Sequence, residues 1–138
     1  MALKTYSFKN VNALFGVLEI KGFADGDDAV IIETEADQFT KVVGSKGDVT
    51  RSQTNDDSCI LTFKLLQTSD SNGELNTLFT LDKESGLGVL PMTIEDKETG
   101  ETFFIPNAWI TKQPTQTRGQ NQNSVEWVLN GDKLITVL

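Results

Sequence analysis

The apolar stretches of this 138-residue chain are short, β-branched and cut off by turn residues, so most of it has to fold as strands. They run Lys4 to Phe8, Ala13 to Ile20, Ala29 to Thr34, Phe39 to Val43, Asp48 to Gln53, Ser58 to Leu66, Val89 to Ile94, Thr102 to Thr111, Ser124 to Leu129 and Lys133 to Leu138. Between them stand Ala24-Asp25-Gly26-Asp27-Asp28, Gly44-Ser45-Lys46-Gly47, Glu98-Thr99-Gly100 and Asn130-Gly131-Asp132, whose Gly, Asn and Asp residues accept the positive φ of tight turns. The expected fold is mainly β: one domain over residues 1–138, an antiparallel β-barrel or sandwich with one flanking α-helix at about residues 72–83.

Alternation supplies the core. In Ser58 to Leu66 one face carries Cys59, Leu61, Phe63 and Leu65, while Ser58, Ile60, Thr62, Lys64 and Leu66 share the other. Cys59 therefore reads as a small core residue rather than a reactive thiol, with no histidine or obvious helix N-terminus to lower its pKa. Val125, Trp127 and Leu129 form a second inward stripe, and Trp109 is placed in the core with Trp127. Asn130-Gly131 then reads as the turn of a C-terminal hairpin whose closing strand carries Leu134, Thr136 and Leu138. The helix starts at an S-x-x-E capping box, Ser71 with Glu74. It shows the core Leu75, Leu78 and Phe79 at i, i+3 and i+4, and stops at Gly86 or Gly88.

Composition removes most catalytic chemistry. There is no histidine, which excludes Ser-His-Asp and Cys-His nucleophile pairs, histidine-ligated zinc and an imidazole base. A single cysteine excludes an internal disulfide, a CxxC redox pair and a four-cysteine metal site. Twenty acids against twelve bases leave a net charge of −8, and without a basic stripe the chain has no footprint for gripping nucleic acid. Met1 to Phe8 has no signal-peptide pattern and no apolar run approaches a membrane span, so a soluble cytoplasmic protein is expected.

Negative charge concentrates between Ala24 and Asp37, where six acids stand without a base. Asp25-Gly26-Asp27-Asp28 lacks the spacing and the late Glu of a calcium loop, and Gly86-Leu87-Gly88 lacks the rest of a phosphate cradle. No motif singles out a carboxylate pair for hydrolysis. The expectation is no catalytic residue, no metal and no cofactor.

Larger segments are more specific. Gly22-Phe23-Ala24-Asp25-Gly26-Asp27-Asp28-Ala29, Gly47-Asp48-Val49-Thr50-Arg51-Ser52 with Thr54-Asn55-Asp56, Leu65-Leu66-Gln67-Thr68-Ser69 with Ser71-Asn72, Asn107-Ala108-Trp109-Ile110 and Glu126-Trp127-Val128-Leu129 follow one another along the chain. Together they resemble tail tube proteins of contractile-tailed bacteriophages. The resemblance implies a structural virion protein, assembled in the bacterial host cytoplasm, that forms hexameric rings stacked into a tube. Its implied partners are other copies of itself, the tail sheath, the tape-measure protein, and baseplate and tail terminator proteins. DNA would be a transient, non-specific cargo, and no membrane is implied.

The resemblance also suggests where subunits meet. Stacked rings need a surface projecting from the barrel. A protruding hairpin at about residues 38–57 is the candidate, with Lys41, Lys46, Asp48, Thr50 and Arg51 assigned to inter-subunit or inter-ring contact. Arg51 is the sharpest of these, because its planar fork pairs bidentately with carboxylates. Glu33, Glu35 and Asp37 are expected at the lumen or rim, where carboxylates repel passing phosphates. Two alternatives stay open: a tube subunit of a phage-like bacteriocin or type VI secretion system, and a monomeric β-barrel that binds a small ligand.

Overall fold

The computed structural model describes residues 3–137. Its strands are β1 (Val11–Phe15), β2 (Leu18–Glu19), β3 (Val30–Thr34), β4 (Phe39–Val43), β5 (Val49–Gln53), β6 (Cys59–Leu66), β7 (Leu90–Asp96), β8 (Glu101–Ile110), β9 (Ser124–Gly131) and β10 (Ile135–Val137). Helix α1 (Ser71–Ser85) lies between β6 and β7. The main sheet runs β2-β1-β7-β8-β9-β6-β3, with β10 added against β8, and its pairings are antiparallel. β4 and β5 form a separate two-stranded sheet.

Residues from β1 and β3, near opposite ends of the strand order, line one cleft, so the sheet curls round into an almost closed barrel. Inside it the alternating residues of β6 and β9 meet: Phe63 is registered with Trp127, Leu61 with Leu129, and Cys59 with Gly131. All of these are buried, together with Phe15, Met92, Ile105 and Leu75 of α1. Leu78 and Phe79 pack against this core from the helix. The indole N–H of Trp127 donates to Asn72 Oδ1 at 2.9 Å, and Asn72 Nδ2 donates to the Leu66 carbonyl at 2.9 Å. One side chain thus ties the first turn of α1 to two strands.

Several expectations need correction. Lys4 to Phe8 is not a strand: residues 3–6 are exposed, and Ser7 Oγ accepts from the Lys9 amide to start a 3-10 turn at Phe8–Asn10. The run Ala13 to Ile20 is a hairpin turned at Gly16-Val17, with Gly16 at φ 66°. Ser71 makes no capping box. Asp70 takes the N-cap position, and the buried Ser71 hydroxyl accepts from the Lys21 amide at 2.9 Å, joining the helix to the segment after β2. Gly86, in the left-handed region, ends the helix with its N–H on the Asp82 carbonyl.

Among the described residues the C-terminal hairpin is also absent. β9 continues through Asn130 and Gly131, and β10 pairs with β8, Ile135 opposite Phe104 and Val137 opposite Thr102. Gly131 serves close packing rather than a turn, since a Cβ there would lie 2.5 Å from Ile105 Cγ2 and 2.8 Å from Cys59 Sγ. The chain turns one residue later, where Asn107 Nδ2 donates to Asp132 Oδ2 at 2.8 Å and the Asp132 amide donates to the Asn107 carbonyl. Leu134 packs on the core, Thr136 is exposed and Leu138 lies outside the described residues.

Trp109 is not a core residue. The β7–β8 register shifts between Met92, opposite Ile105, and Leu90, opposite Ala108. That irregularity around Pro106 and Asn107 reverses the parity of β8, so Ala108 and Ile110 are buried and Trp109, half-buried, takes the outer face. There it stands opposite Asn130, which in turn stands opposite Ile60.

Candidate assembly interface

All ten residues of β4 and β5 are exposed, which no packed strand of a monomer would show. Phe39 is 48% exposed, Val42 67%, Val43 58% and Val49 63%. An isolated two-stranded hairpin is marginal in water, and this one shows solvent four large apolar side chains. Its loop closes through the Gly44 amide on the Asp48 carbonyl at 2.6 Å, with Gly47 at φ 91°. Lys46 sits in that loop, and Asp48 ends it.

Pairing assigns the faces. Phe39 is registered with Gln53, Lys41 with Arg51, and Val43 with Val49, while Thr40–Ser52 and Val42–Thr50 lie on the other side. The structure therefore brings Lys41 and Arg51 together on one face and puts Thr50 on the opposite one. The Arg51 guanidinium carbon lies 4.3 Å from the centre of the Phe39 ring. Among the described residues the ion pairs are Lys21–Glu19 and Lys64–Asp28, and Lys41, Lys46 and Arg51 have no carboxylate partner among them.

The hairpin's foot is held in place. Gln38 Nε2 donates to the Asp56 carbonyl at 2.9 Å, and the Thr54 amide donates to the Gln38 carbonyl at 2.8 Å. Asp56 Oδ1 accepts from the Ser58 hydroxyl at 2.6 Å and from its amide at 3.0 Å, which holds the Asp56 carboxyl below its ordinary pKa. These bonds orient the hairpin at its base, whereas nothing in the sequence pattern alone specified them. Glu33, Glu35 and Asp37 are all exposed along the end of β3 and the segment leading to the hairpin.

A second surface was not anticipated. Tyr6, Val11, Asp27, Ile32, Asp96 and Phe103 are among the residues lining a cleft of about 350 Å3 at the seam of the barrel. Most of its lining is apolar; it also includes Asp27 and Asp96, neither in an ion pair among the described residues, and Asp96 Oδ1 accepts from the Glu98 amide at 3.0 Å. Asp27 belongs to the acidic segment that the sequence singled out, while Val11, Asp96 and Phe103 reach the cleft only through strand curvature.

The sequence model of the Bacteriophage PhiTE tail tube protein matches residues 3–138. The chain belongs to that family. It is 31% identical over 113 residues to structural protein ORF10 of Pseudomonas phage KPP10, covering 80% of this chain and 65% of that protein's length. Its fold is similar to the tube-terminating cap of the anti-feeding prophage, with a TM-score of 0.64 at 11% identity, over 99% of this chain and 94% of the other. It is equally similar to a chain of the sheath/tube terminator of the extracellular contractile injection system PVC in its extended state. There the TM-score is 0.64 at 14% identity, over the whole of both chains. Family membership makes this a structural tail component and not an enzyme.

Proposed function

We propose that this chain is the repeating subunit of the inner tail tube: six copies close into a ring, and the rings stack inside a contractile sheath as the conduit for DNA ejection. The observation that carries this reading is the β4–β5 hairpin, exposed along its whole length with four exposed apolar side chains and with cations that have no carboxylate partner among the described residues. A projecting element that meets a different surface of the next copy is a heterologous contact, which closes by rotation and extends by translation. Lys41, Lys46, Asp48, Thr50 and Arg51 belong to that contact. The net charge of −8 suits a wall that DNA slides past, with Glu33, Glu35 and Asp37 at the lumen or rim. Tape-measure, sheath, baseplate and terminator proteins are the partners such a tube requires.

A second reading draws on the similarity to two tube-terminating proteins: a ring that caps a tube instead of repeating along it. Negative-stain microscopy of concentrated protein separates the two. The first reading expects tubes about ten nanometres wide, the second discrete rings, and a monomer at every concentration would defeat both. Arg51→Glu is expected to abolish tubes while circular dichroism of the monomer stays unchanged; normal tubes from that variant would remove the hairpin from the interface.

A further inference from the structure

We propose that the cleft between β1 and β3 is the socket for the β4–β5 hairpin of a second copy of this chain. This deepens the tube reading and rests on it.

Three observations converge on that occupant. The first is chemical match. One hairpin face combines Phe39, Val43 and Val49 with Lys41 and Arg51, and the cleft combines Val11, Ile32 and Phe103 with Asp27 and Asp96. Apolar residues would meet apolar residues, and the two cations on that hairpin face would meet the two carboxylates of the cleft. Pairing of this kind sets register and excludes wrong partners.

The second is charge distribution. In a chain of net charge −8, residues 39–53 hold Lys41, Lys46 and Arg51 against Asp48 alone. The hairpin is thus a local cation on an acidic protein, and attraction draws it to the carboxylates of another copy's cleft.

The third is position. The cleft flanks the start of β3, through Asp27, Val30 and Ile32, and the hairpin follows the end of the same strand. Donor and acceptor therefore flank one short strand, which spans about 13 Å from Val30 to Thr34 at about 3.3 Å per residue. Such a subunit joins head to tail, and its own hairpin stays free for the next socket. Tyr6 and Phe8, from the segment preceding β1, line the same cleft and would close over the inserted hairpin.

The test uses the full-length chain in two formats. For cross-linking, Val43→Cys protein is mixed with Tyr6→Cys protein at assembling concentration and oxidised. A disulfide-linked dimer of the two variants is expected, and Val43→Cys mixed with Leu87→Cys should give none. The native Cys59 is buried, and burial followed by repulsion from Asp132 and Glu35 raises its thiol pKa, so it stays out of the reaction.

For charge exchange, Asp27→Lys with Asp96→Lys should raise the concentration needed for fast-sedimenting assemblies at least about tenfold. Lys41→Asp with Arg51→Asp should do the same, and a chain carrying all four changes should recover most of the loss. If the hairpin variant fails to assemble while the cleft variant assembles normally and Tyr6→Cys gives no cross-link, the socket is elsewhere and the tube reading survives. If both variants assemble like the unmodified chain, the hairpin is not the contact and the socket falls, while the tubes of the unmodified chain keep the tube reading. An unmodified chain that does not assemble at any concentration, with no cross-link between the two cysteine variants, overturns both.

Discussion

Arg51 stands directly across the β4–β5 ladder from Lys41, while its guanidinium leans over the ring of Phe39. Like charges opposed on one face destabilise a hairpin, and stacking on Phe39 offsets only part of that. A monomer has no use for this arrangement, whereas an acidic partner surface does. Lys41→Glu therefore separates the two states. It creates a cross-strand ion pair with Arg51, so hairpin amides are expected to exchange about two- to fivefold more slowly in the monomer. Tube formation, followed by sedimentation, should weaken in the same variant. Faster exchange, or unchanged assembly, would contradict the assignment of this face.

Asn72 and Trp127 link helix and barrel through a side-chain hydrogen bond. Asn72→Ala leaves the buried indole N–H of Trp127 without its acceptor, and an orphaned buried donor costs about 1–3 kcal/mol. Urea unfolding should show a lower midpoint with an unchanged slope. Adding Trp127→Phe should then cost less in the Asn72→Ala background than in the unmodified chain, because the donor being removed is already unsatisfied. Equal costs in both backgrounds would mean that the hydrogen bond contributes nothing.

Gly131 tests the packing where β8, β9 and β6 meet. A methyl group there would overlap Ile105 Cγ2 and Cys59 Sγ, both in buried side chains that cannot swing into solvent. Gly131→Ala is expected to destabilise the domain by about 1–3 kcal/mol through overpacking, despite the better intrinsic strand preference of alanine. Combining it with Ile105→Ala, which removes the overlapped Cγ2, should cost less than the two single changes summed. Thermal midpoints of the single and double variants check this, and a Gly131→Ala chain as stable as the parent would refute the close contact.

The same residue shows what was legible in the sequence. Alternation located β6 and β9 and their inward faces, because each side chain there obeys the two-residue period without interruption. It misread Asn130-Gly131, since a glycine required by a tight core and one required by a turn look alike in one dimension. Trp109 failed for a related reason: the bulge that reverses its direction is set by the pairing of β8 with β7, which no local pattern records. Ser71 has the spacing of a capping box, but its hydroxyl is taken by Lys21, fifty residues away in sequence. The hairpin was visible through its turn glycines and polar flanks. The cleft opposite was not, because it exists only once β1 and β3 are brought together by curvature.

The remaining prediction concerns pH. Lys64 on β6 donates to Asp28 at 2.5 Å, anchoring the acidic loop before β3. That hydrogen bond, and then the ammonium charge, holds the Asp28 carboxyl below its ordinary 3.8; the same bond from Asp28 raises Lys64 above 10.5. A carboxyl lowered on folding contributes stability above its unfolded pKa and loses it as the pH falls through the folded value. An ammonium raised on folding contributes below its unfolded pKa and loses it as the pH rises through the folded value. The two limits bracket a plateau. The difference in urea midpoint between the parent and Asp28→Asn should accordingly be flat from about pH 5 to 9, then narrow below about 4 and above about 10.5. It should also shrink in 1 M salt, because Asp28 is exposed and the pair is open to screening. A difference that widened on acidification would mean that another group, and not this pair, holds the loop to β6.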